Sequence, residues 1–102
     1  MNKKFYQNNF IEELYNVIDQ RVKNKSKNSY TNKLLKQGSK KIAQKIGEES
    51  AELLVDYLNG TKKRIVEETA DLIYHIIVLL YSKKITVKKL ENELKKRRKN
   101  VR

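Results

Sequence analysis

The feature that most constrains the fold of this chain is an apolar pattern with the period of an α-helix. It runs through 102 residues that contain no proline and only 3 glycines. Apolar residues recur every three or four positions, as they do along one face of an amphipathic helix, and no segment shows the strict alternation typical of a strand. Few helix breakers interrupt this pattern. The sequence therefore predicts an all-α fold.

Helix starts and stops divide the pattern into five helices. Three hydroxyl side chains precede an apolar stripe and can each accept a hydrogen bond from a free amide in a first helical turn: Ser29, Thr61 and Thr86. Gly38 and Asn59-Gly60 are the predicted helix ends, because glycine readily adopts the conformations that terminate helices. The predicted helices span residues 10–22, the segment between Ser29 and Gly38, about 39–58, Thr61 to about Ser82, and a last segment from Val87.

The segment from Leu72 to Leu80 is apolar except for His75, which predicts a buried, central helix. It is far shorter than the roughly 20 residues that cross a bilayer. A chain of this size buries a limited share of its surface. We therefore expect one domain over residues 1–102, in which helical hairpins form a bundle that a second copy completes as a homodimer.

The net charge of +12 is unevenly distributed. Residues 83–102 carry ten basic and two acidic side chains, whereas residues 42–82 carry four basic and seven acidic ones. A nucleic-acid-binding protein concentrates basic charge on its folded face, and here that region is acidic. We expect no nucleic-acid partner, and we expect a solvated basic tail from about residue 95 that is frayed from Lys95 to Arg102.

The absence of cysteine excludes disulfides, thiolate metal sites and a cysteine nucleophile, and it fits a reducing compartment. The first residues are polar and no apolar stretch of a leader peptide follows them. These features predict a cytoplasmic protein that has no membrane association.

Two of the predicted helices carry acidic residues at matching spacing. On each helix, three polar side chains at i, i+3 and i+7 share one face: Glu49, Glu52 and Asp56 on the first, and Glu68, Asp71 and His75 on the second. If the helices pack as an antiparallel hairpin, carboxylates converge at the edge of the core. Like charges in a partly desolvated cleft are unfavourable unless a cation neutralises them.

A hard divalent cation resolves this conflict, and Mg²⁺ or Mn²⁺ is favoured over zinc because the chain has no cysteine and one histidine. The competing interpretation is an exposed face on which the three glutamates only form ion pairs one turn away. It would pair Glu48, Glu49 and Glu52 with Lys41 and Lys45.

The strings around these carboxylates resemble a known family. Glu48-Glu49-x-x-Glu52 and Glu68-x-x-Asp71 resemble the two acidic motifs of the all-α, MazG-type nucleotide pyrophosphohydrolases. Within that group, three strings are similar to those of the phosphoribosyl-ATP pyrophosphohydrolases: residues 29–38, 41–49 and 70–75. The resemblance covers about residues 10–95 and implies a stand-alone enzyme, without the cyclohydrolase domain found in some relatives.

What the resemblance implies is hydrolysis of the α–β phosphoanhydride of N1-(5-phosphoribosyl)-ATP. The products are N1-(5-phosphoribosyl)-AMP and pyrophosphate, in the second step of histidine biosynthesis. Such chemistry requires divalent ions that neutralise phosphate charge and activate water, in agreement with the acidic residues. Two alternatives are a MazG-type enzyme for another nucleoside triphosphate and, more remotely, a small basic helical protein that binds nucleic acid through Lys95 to Arg102.

The resemblance also suggests roles for individual side chains. The predicted metal ligands are Glu49, Glu52, Glu68 and Asp71. Glu48 and Glu49 are the predicted catalytic residues, and Glu48 either completes the metal shell or acts as base on the attacking water. Lys45 lies one turn before them and can reach phosphate oxygens, and Lys41 and Lys33 are weaker candidates for the same contact.

Three aromatic positions and the histidine leave alternatives open. His75 either is a satisfied core residue or contacts substrate. Tyr30 stacks on adenine, bonds phosphate or packs its short helix onto the bundle. Tyr74 and Tyr81 are predicted to lie in the core or in a subunit interface.

Overall fold

The computed structural model describes residues 9–24 and 29–98. These residues form five helices: α1 (Phe10–Lys23), α2 (Tyr30–Gln37), α3 (Ser39–Asn59), α4 (Lys62–Ser82) and α5 (Val87–Arg97). The described residues contain no strand, and the predicted all-α fold is confirmed.

The structure differs from the sequence-based expectation at the ends of α1 and α5. The first helix was predicted to end at residue 22, but Lys23 is the last residue of α1, and residues 25–28 lie outside the described part of the chain. The predicted fraying from Lys95 is wrong for residues 95–97, because α5 continues through Arg97 with the Arg97 side chain bonded to Glu93 one turn earlier. Residues 99–102 lie outside the described range.

The helix boundaries follow from local hydrogen bonds. The hydroxyls of Ser29, Thr61 and Thr86 accept from the third residue of α2, α4 and α5, at 3.2, 3.2 and 3.3 Å. Asn9 caps α1 in the same way at 2.8 Å, which the sequence interpretation had missed. Gly38 separates α2 from α3 with φ +92°, a conformation that side-chain-bearing residues rarely adopt. The predicted starts and stops are confirmed.

Helix α4 is the centre of the fold, as its apolar sequence predicted. It packs along α3 and also contacts α1 and α2. The buried core combines residues from these four helices: Ile18, Leu34, Ile42, Ile77 and Val78. Tyr74 and Tyr81 pack against this core, in line with the first of their two predicted placements.

The α3–α4 pair is an antiparallel hairpin with a tight turn at Gly60. A Cβ atom at this position would lie 2.6 Å from Oδ1 and 2.8 Å from the carbonyl oxygen of Asp56. Glycine therefore lets the chain reverse directly against the last turn of α3, and this reversal sets which residues of α3 and α4 face one another.

Several apolar residues at helical spacing in the sequence are exposed instead of buried. They are Phe10, Val17, Leu54, Tyr57, Ile73, Leu90 and Leu94. A fold of five short helices does not have enough neighbouring surface to cover every apolar position. Within residues 9–24 and 29–98, no helix combines the length and the hydropathy needed to span a membrane.

Candidate active site

The antiparallel hairpin brings together acidic residues of α3 and α4. Glu49, Glu68 and Asp71 each offer one carboxylate oxygen, and these atoms lie within 4.8 Å of one another. Glu49 and Glu68 are buried, with 8% and 4% of their surface exposed, whereas Asp71 is open to solvent. The structure thus gathers three of the four predicted ligands at the edge of the core, and we call them the carboxylate cluster.

Glu52, the fourth predicted ligand, lies one turn after Glu49 on α3 and is exposed. Its side chain interacts with Glu49 and Glu68, and both the hydrogen bond with Glu49 and the Glu49 charge raise the pKa of Glu52. Burial raises the pKa of Glu68, a nearby guanidinium opposes this shift, and Glu52 adds to it. The cluster therefore concentrates negative charge that favours a cation.

Two oxygen atoms of the cluster are left without a partner. Oε2 of Glu49 and Oε2 of Glu68 are buried and accept no hydrogen bond from the described residues. A buried, unpaired carboxylate oxygen costs free energy, typically about 1–3 kcal/mol for a polar group and more for a charged one. Buried carboxylate oxygens that find no donor among the described residues are a set of ligand atoms that fits a hard divalent ion such as Mg²⁺ or Mn²⁺.

Arg64, in the first turn of α4, is a residue that the sequence interpretation missed. Its guanidinium bonds the carboxylate of Glu68, lies 2.8 Å from Oε1 of Glu67, and approaches Oδ2 of Asp56 at 3.8 Å. The i, i+4 spacing between Arg64 and Glu68 is the signal that could have found it. This arginine connects the two ends of the α3–α4 turn.

Lys45 lies one turn before the acidic residues of α3, as predicted. Its Nζ is 3.8 Å from Oε1 of Glu49 and 3.6 Å from Oε1 of Glu48. Burial lowers the pKa of Lys45, but the surrounding oxygens of Tyr30, Glu49 and Glu48 outweigh it and raise the pKa overall. The competing interpretation of simple ion pairs thus describes Lys45 correctly and leaves the unpaired cluster oxygens unexplained.

Glu48 is not among the three carboxylates of the cluster. It is exposed and accepts a 2.9 Å hydrogen bond from Nε2 of Gln44, and this bond and Lys45 lower its pKa. It lines a hollow of about 340 Å³ between α2 and α3. The lining residues include the three predicted phosphate contacts and the predicted aromatic residue: Lys33, Lys41, Lys45 and Tyr30.

A buried histidine links this hollow to the cluster. Nδ1 of His75 is 2.7 Å from the carbonyl oxygen of Asp71, and Nε2 is 2.8 Å from the hydroxyl of Tyr30. A carbonyl oxygen only accepts, so in the neutral imidazole Nδ1 donates and Nε2 accepts the Tyr30 proton. His75 is 4% exposed and Tyr30 47% exposed. The Tyr30 hydroxyl thus presents an acceptor, not a free proton, to the hollow.

The hairpin with its shared carboxylate cluster has the arrangement to which the two acidic motifs pointed, that of the all-α nucleotide pyrophosphohydrolases. The sequence model of the phosphoribosyl-ATP pyrophosphohydrolase family matches residues 11–98. The chain belongs to this family, and the predicted family resemblance is confirmed.

Individual relatives agree with the family match. The phosphoribosyl-ATP pyrophosphatase of Clostridium novyi (strain NT) is 47% identical over 91 residues, which cover 89% of this chain and 83% of the relative. The enzyme of the same name from Sulfolobus acidocaldarius is 42% identical over 91 residues, 89% of this chain and 96% of the relative. The histidine biosynthesis bifunctional protein HisIE of Bacteroides thetaiotaomicron is 46% identical over 88 residues, 86% of this chain and 43% of the relative.

Proposed function

We propose that this protein hydrolyses the α–β phosphoanhydride of N1-(5-phosphoribosyl)-ATP to N1-(5-phosphoribosyl)-AMP and pyrophosphate, in histidine biosynthesis. Membership of the phosphoribosyl-ATP pyrophosphohydrolase family carries this proposal. The site is consistent with it, because a carboxylate cluster and a lysine-lined hollow lie next to each other on α3. A triphosphate needs both a metal and direct cationic contacts, since carboxylates alone would repel it.

The carboxylate cluster is the proposed holder of Mg²⁺, with Mn²⁺ as an alternative. Glu49, Glu68 and Asp71 would supply the ligands and Glu52 a fourth. Bound there, the ion would neutralise phosphate charge and make water more acidic. The orphaned oxygens of Glu49 and Glu68 support this proposal, because a cation would satisfy both.

The residues of the hollow would hold the substrate. Lys45 would contact phosphate oxygens next to the cluster, and Lys41 and Lys33 would contact the more distant parts of the polyphosphate. Tyr30 would accept a hydrogen bond from the substrate or pack against its base, since its own proton is directed to His75. Glu48 remains the proposed base for the attacking water; its lowered pKa keeps the carboxylate ionised but does not make it a stronger base.

A homodimer is proposed from the apolar surface of the α3–α4 hairpin. Six residues there are at least 40% exposed, which is unusual for large apolar side chains on one hairpin: Leu54, Val55, Tyr57, Leu58, Val66 and Ile73. Val55 also lines a hollow with Glu52 and Asp56, so this surface borders the cluster. A second copy packed through these residues would bury the apolar surface and cover one side of the site.

Sedimentation velocity at micromolar concentration tests the dimer. Leu58→Lys should shift the protein towards the monomer, while Val17→Lys, which introduces the same side chain at an exposed residue of α1, should not. A wild-type monomer that is fully active, or equal effects of both variants, would contradict the proposed interface.

Pyrophosphate release tests the activity. The protein is incubated with N1-(5-phosphoribosyl)-ATP and Mg²⁺, and a parallel series replaces this substrate with ATP, dCTP and other ordinary nucleoside triphosphates. We expect kcat/KM to be highest for the phosphoribosylated substrate. Faster turnover of an ordinary nucleoside triphosphate would instead support the MazG-type alternative.

A further inference from the structure

We propose that Arg64 is an internal counter-ion of the carboxylate cluster, which holds Glu68 when no metal is bound and releases it when a divalent cation binds. This inference rests on the proposed metal site. Glu68 is the buried member of an arginine–carboxylate pair, with 6% of its side chain exposed, and Arg64 is the exposed member, with 52% exposed. The guanidinium can therefore withdraw into solvent, whereas Glu68 cannot.

The position of Arg64 in the first turn of α4 is not explained by the helix dipole. The first turn of this helix holds three consecutive cations, Lys62, Lys63 and Arg64, and no acidic residue. Cations near a helix N-terminus oppose the helix dipole. Lys62 and Lys63 are exposed and form no ion pair with the described residues, whereas Arg64 contacts three carboxylates. What distinguishes Arg64 is its partners.

Those partners give the guanidinium somewhere to remain after it leaves Glu68. Glu67 lies 2.8 Å from Nη1 and is 45% exposed, and Oδ2 of Asp56 lies 3.8 Å from Nη2. Both carboxylates lie at the hairpin turn, outside the carboxylate cluster of Glu49, Glu68 and Asp71. Release of Glu68 therefore leaves Arg64 with two carboxylate partners that it already contacts.

Arg64 bonds a carboxylate that a metal ion would also use. It bonds Oε1 of Glu68, while Oε2 of the same carboxylate is buried and has no partner among the described residues. A guanidinium and a divalent ion on one carboxylate repel each other. Arg64 and the cation should therefore compete for Glu68, so that the arginine stabilises the metal-free protein and weakens metal affinity.

Metal affinity tests this competition without an activity assay. Mn²⁺ is titrated alone into wild type, Arg64→Gln and Lys63→Gln, with free Mn²⁺ followed by electron paramagnetic resonance and Mg²⁺ binding by calorimetry. Lys63→Gln is the matched control, because it removes the same charge one residue away. We expect Arg64→Gln to tighten binding by about threefold to tenfold relative to that control, as loss of a competing cation requires.

Thermal unfolding provides a second measurement on the same proteins. Arg64→Gln should lower the Tm of the metal-free protein more than Lys63→Gln does, and saturating Mn²⁺ should close or reverse that gap. Arg64→Lys keeps the charge but loses the guanidinium fork that bonds two carboxylates. Its metal-free Tm should therefore lie between those of wild type and Arg64→Gln. If Arg64→Gln does not fold, Arg64→Lys carries the test, with tighter Mn²⁺ binding than wild type as its expected result.

Two outcomes would overturn the proposal in distinguishable ways. Equal or weaker Mn²⁺ binding by Arg64→Gln than by Lys63→Gln would show that Arg64 does not compete for Glu68, while leaving the metal site intact. Failure of the wild type to bind Mn²⁺ or Mg²⁺ would remove both the counter-ion role and the proposed metal site.

Discussion

Tyr30 and His75 share a 2.8 Å hydrogen bond that joins the first residue of α2 to the middle of α4. The bond connects an exposed tyrosine to a buried histidine, whose other ring nitrogen donates to the carbonyl oxygen of Asp71. The hollow that lysines line and the carboxylate cluster are thereby fixed relative to one another. A short helix, which has little stability of its own, acquires a defined position at the site through this contact.

Tyr30→Phe tests how much the Tyr30–His75 hydrogen bond contributes to the stability of the fold. The variant keeps the ring but leaves Nε2 of buried His75 without the hydroxyl, which should lower the free energy of unfolding by about 1–3 kcal/mol. Urea denaturation of the metal-free protein measures it. Tyr15→Phe is the control, because the Tyr15 hydroxyl forms no hydrogen bond with the described residues, and its effect should stay within about 0.5 kcal/mol. Equal stability of the two variants would contradict the importance of the bond.

Substitution of a proposed metal ligand should reduce activity without preventing folding. Glu52→Gln and Asp71→Asn keep side-chain size but lose a charge, and each should lower kcat by at least about a hundredfold, more than the loss of an outer-shell partner does. Glu93→Gln, the same change at an exposed glutamate of α5, should stay within about threefold of wild type.

Although Glu52→Gln should lose activity, it should not lose stability in the metal-free protein. Glu49 raises the pKa of Glu52, so the ionised pair destabilises the fold at neutral pH. Circular dichroism should therefore show unchanged helix content and a Tm no lower than that of wild type. Retention of more than a tenth of the wild-type rate by Glu52→Gln or Asp71→Asn would argue against the ligand assignment.

The helices were predictable because their signals are local. Three capping hydroxyls start helices and Gly38 ends one, and each of these signals depends only on neighbouring residues. The structure has helix boundaries at all four positions. The convergence of Glu49 with Glu68 was also predictable, since a short turn at Gly60 leaves one way to pair the two longest helices.

Other features depended on contacts that no local pattern encodes. The link from Tyr30 to His75 spans 45 positions, and that from Tyr81 to Asp19 spans 62. Glu48 and Glu49 are adjacent in sequence and equal in charge, yet Glu49 is buried in the cluster and Glu48 lines the hollow. Only the rotation of α3 against α4 distinguishes them. The exposure of Leu54 likewise depends on which surfaces find a neighbour.

Asp19 on α1 is expected to make a pH-dependent contribution to the free energy of unfolding. Oδ2 of Asp19 is 2.9 Å from Nζ of Lys23, Oδ1 accepts a 2.8 Å hydrogen bond from Tyr81, and these contacts lower its pKa. A lowered pKa means that the contribution is present above the unfolded-state value, about 3.9, and is lost as the pH falls through the lower folded value.

Asp19→Asn should therefore lower the Tm at pH 7, and the difference from wild type should disappear progressively below about pH 4. Thermal melts from pH 7 down to pH 2.5 measure this. Tyr81→Phe in both backgrounds completes a double-mutant cycle, in which the coupling should vanish over the same pH range. A difference that is constant across this range would mean that the ionised form of Asp19 is not what the contact needs.

The last prediction separates the charge of Lys45 from the general positive charge of the protein. Nζ of Lys45 lies 3.8 Å from the cluster residue Glu49 and lines the same hollow as Tyr30, so its contact with a phosphate acts at short range. A charge-assisted hydrogen bond is worth about 1.5–3 kcal/mol, so Lys45→Ala should lower kcat/KM by about tenfold or more.

Exposed cations such as Lys40 act through solvent, where salt screens interactions beyond about 8 Å at physiological ionic strength. Lys40→Ala, and deletion of residues 98–102, should each reduce kcat/KM only a few-fold and only at low salt. The measurement is kcat/KM from 0.02 to 0.5 M salt for each protein. Because a direct contact is little screened, the Lys45→Ala defect should persist across this range. If the deletion is as damaging as Lys45→Ala at 0.15 M salt, the tail contributes to the substrate site and the hollow is not where the decisive basic contact lies.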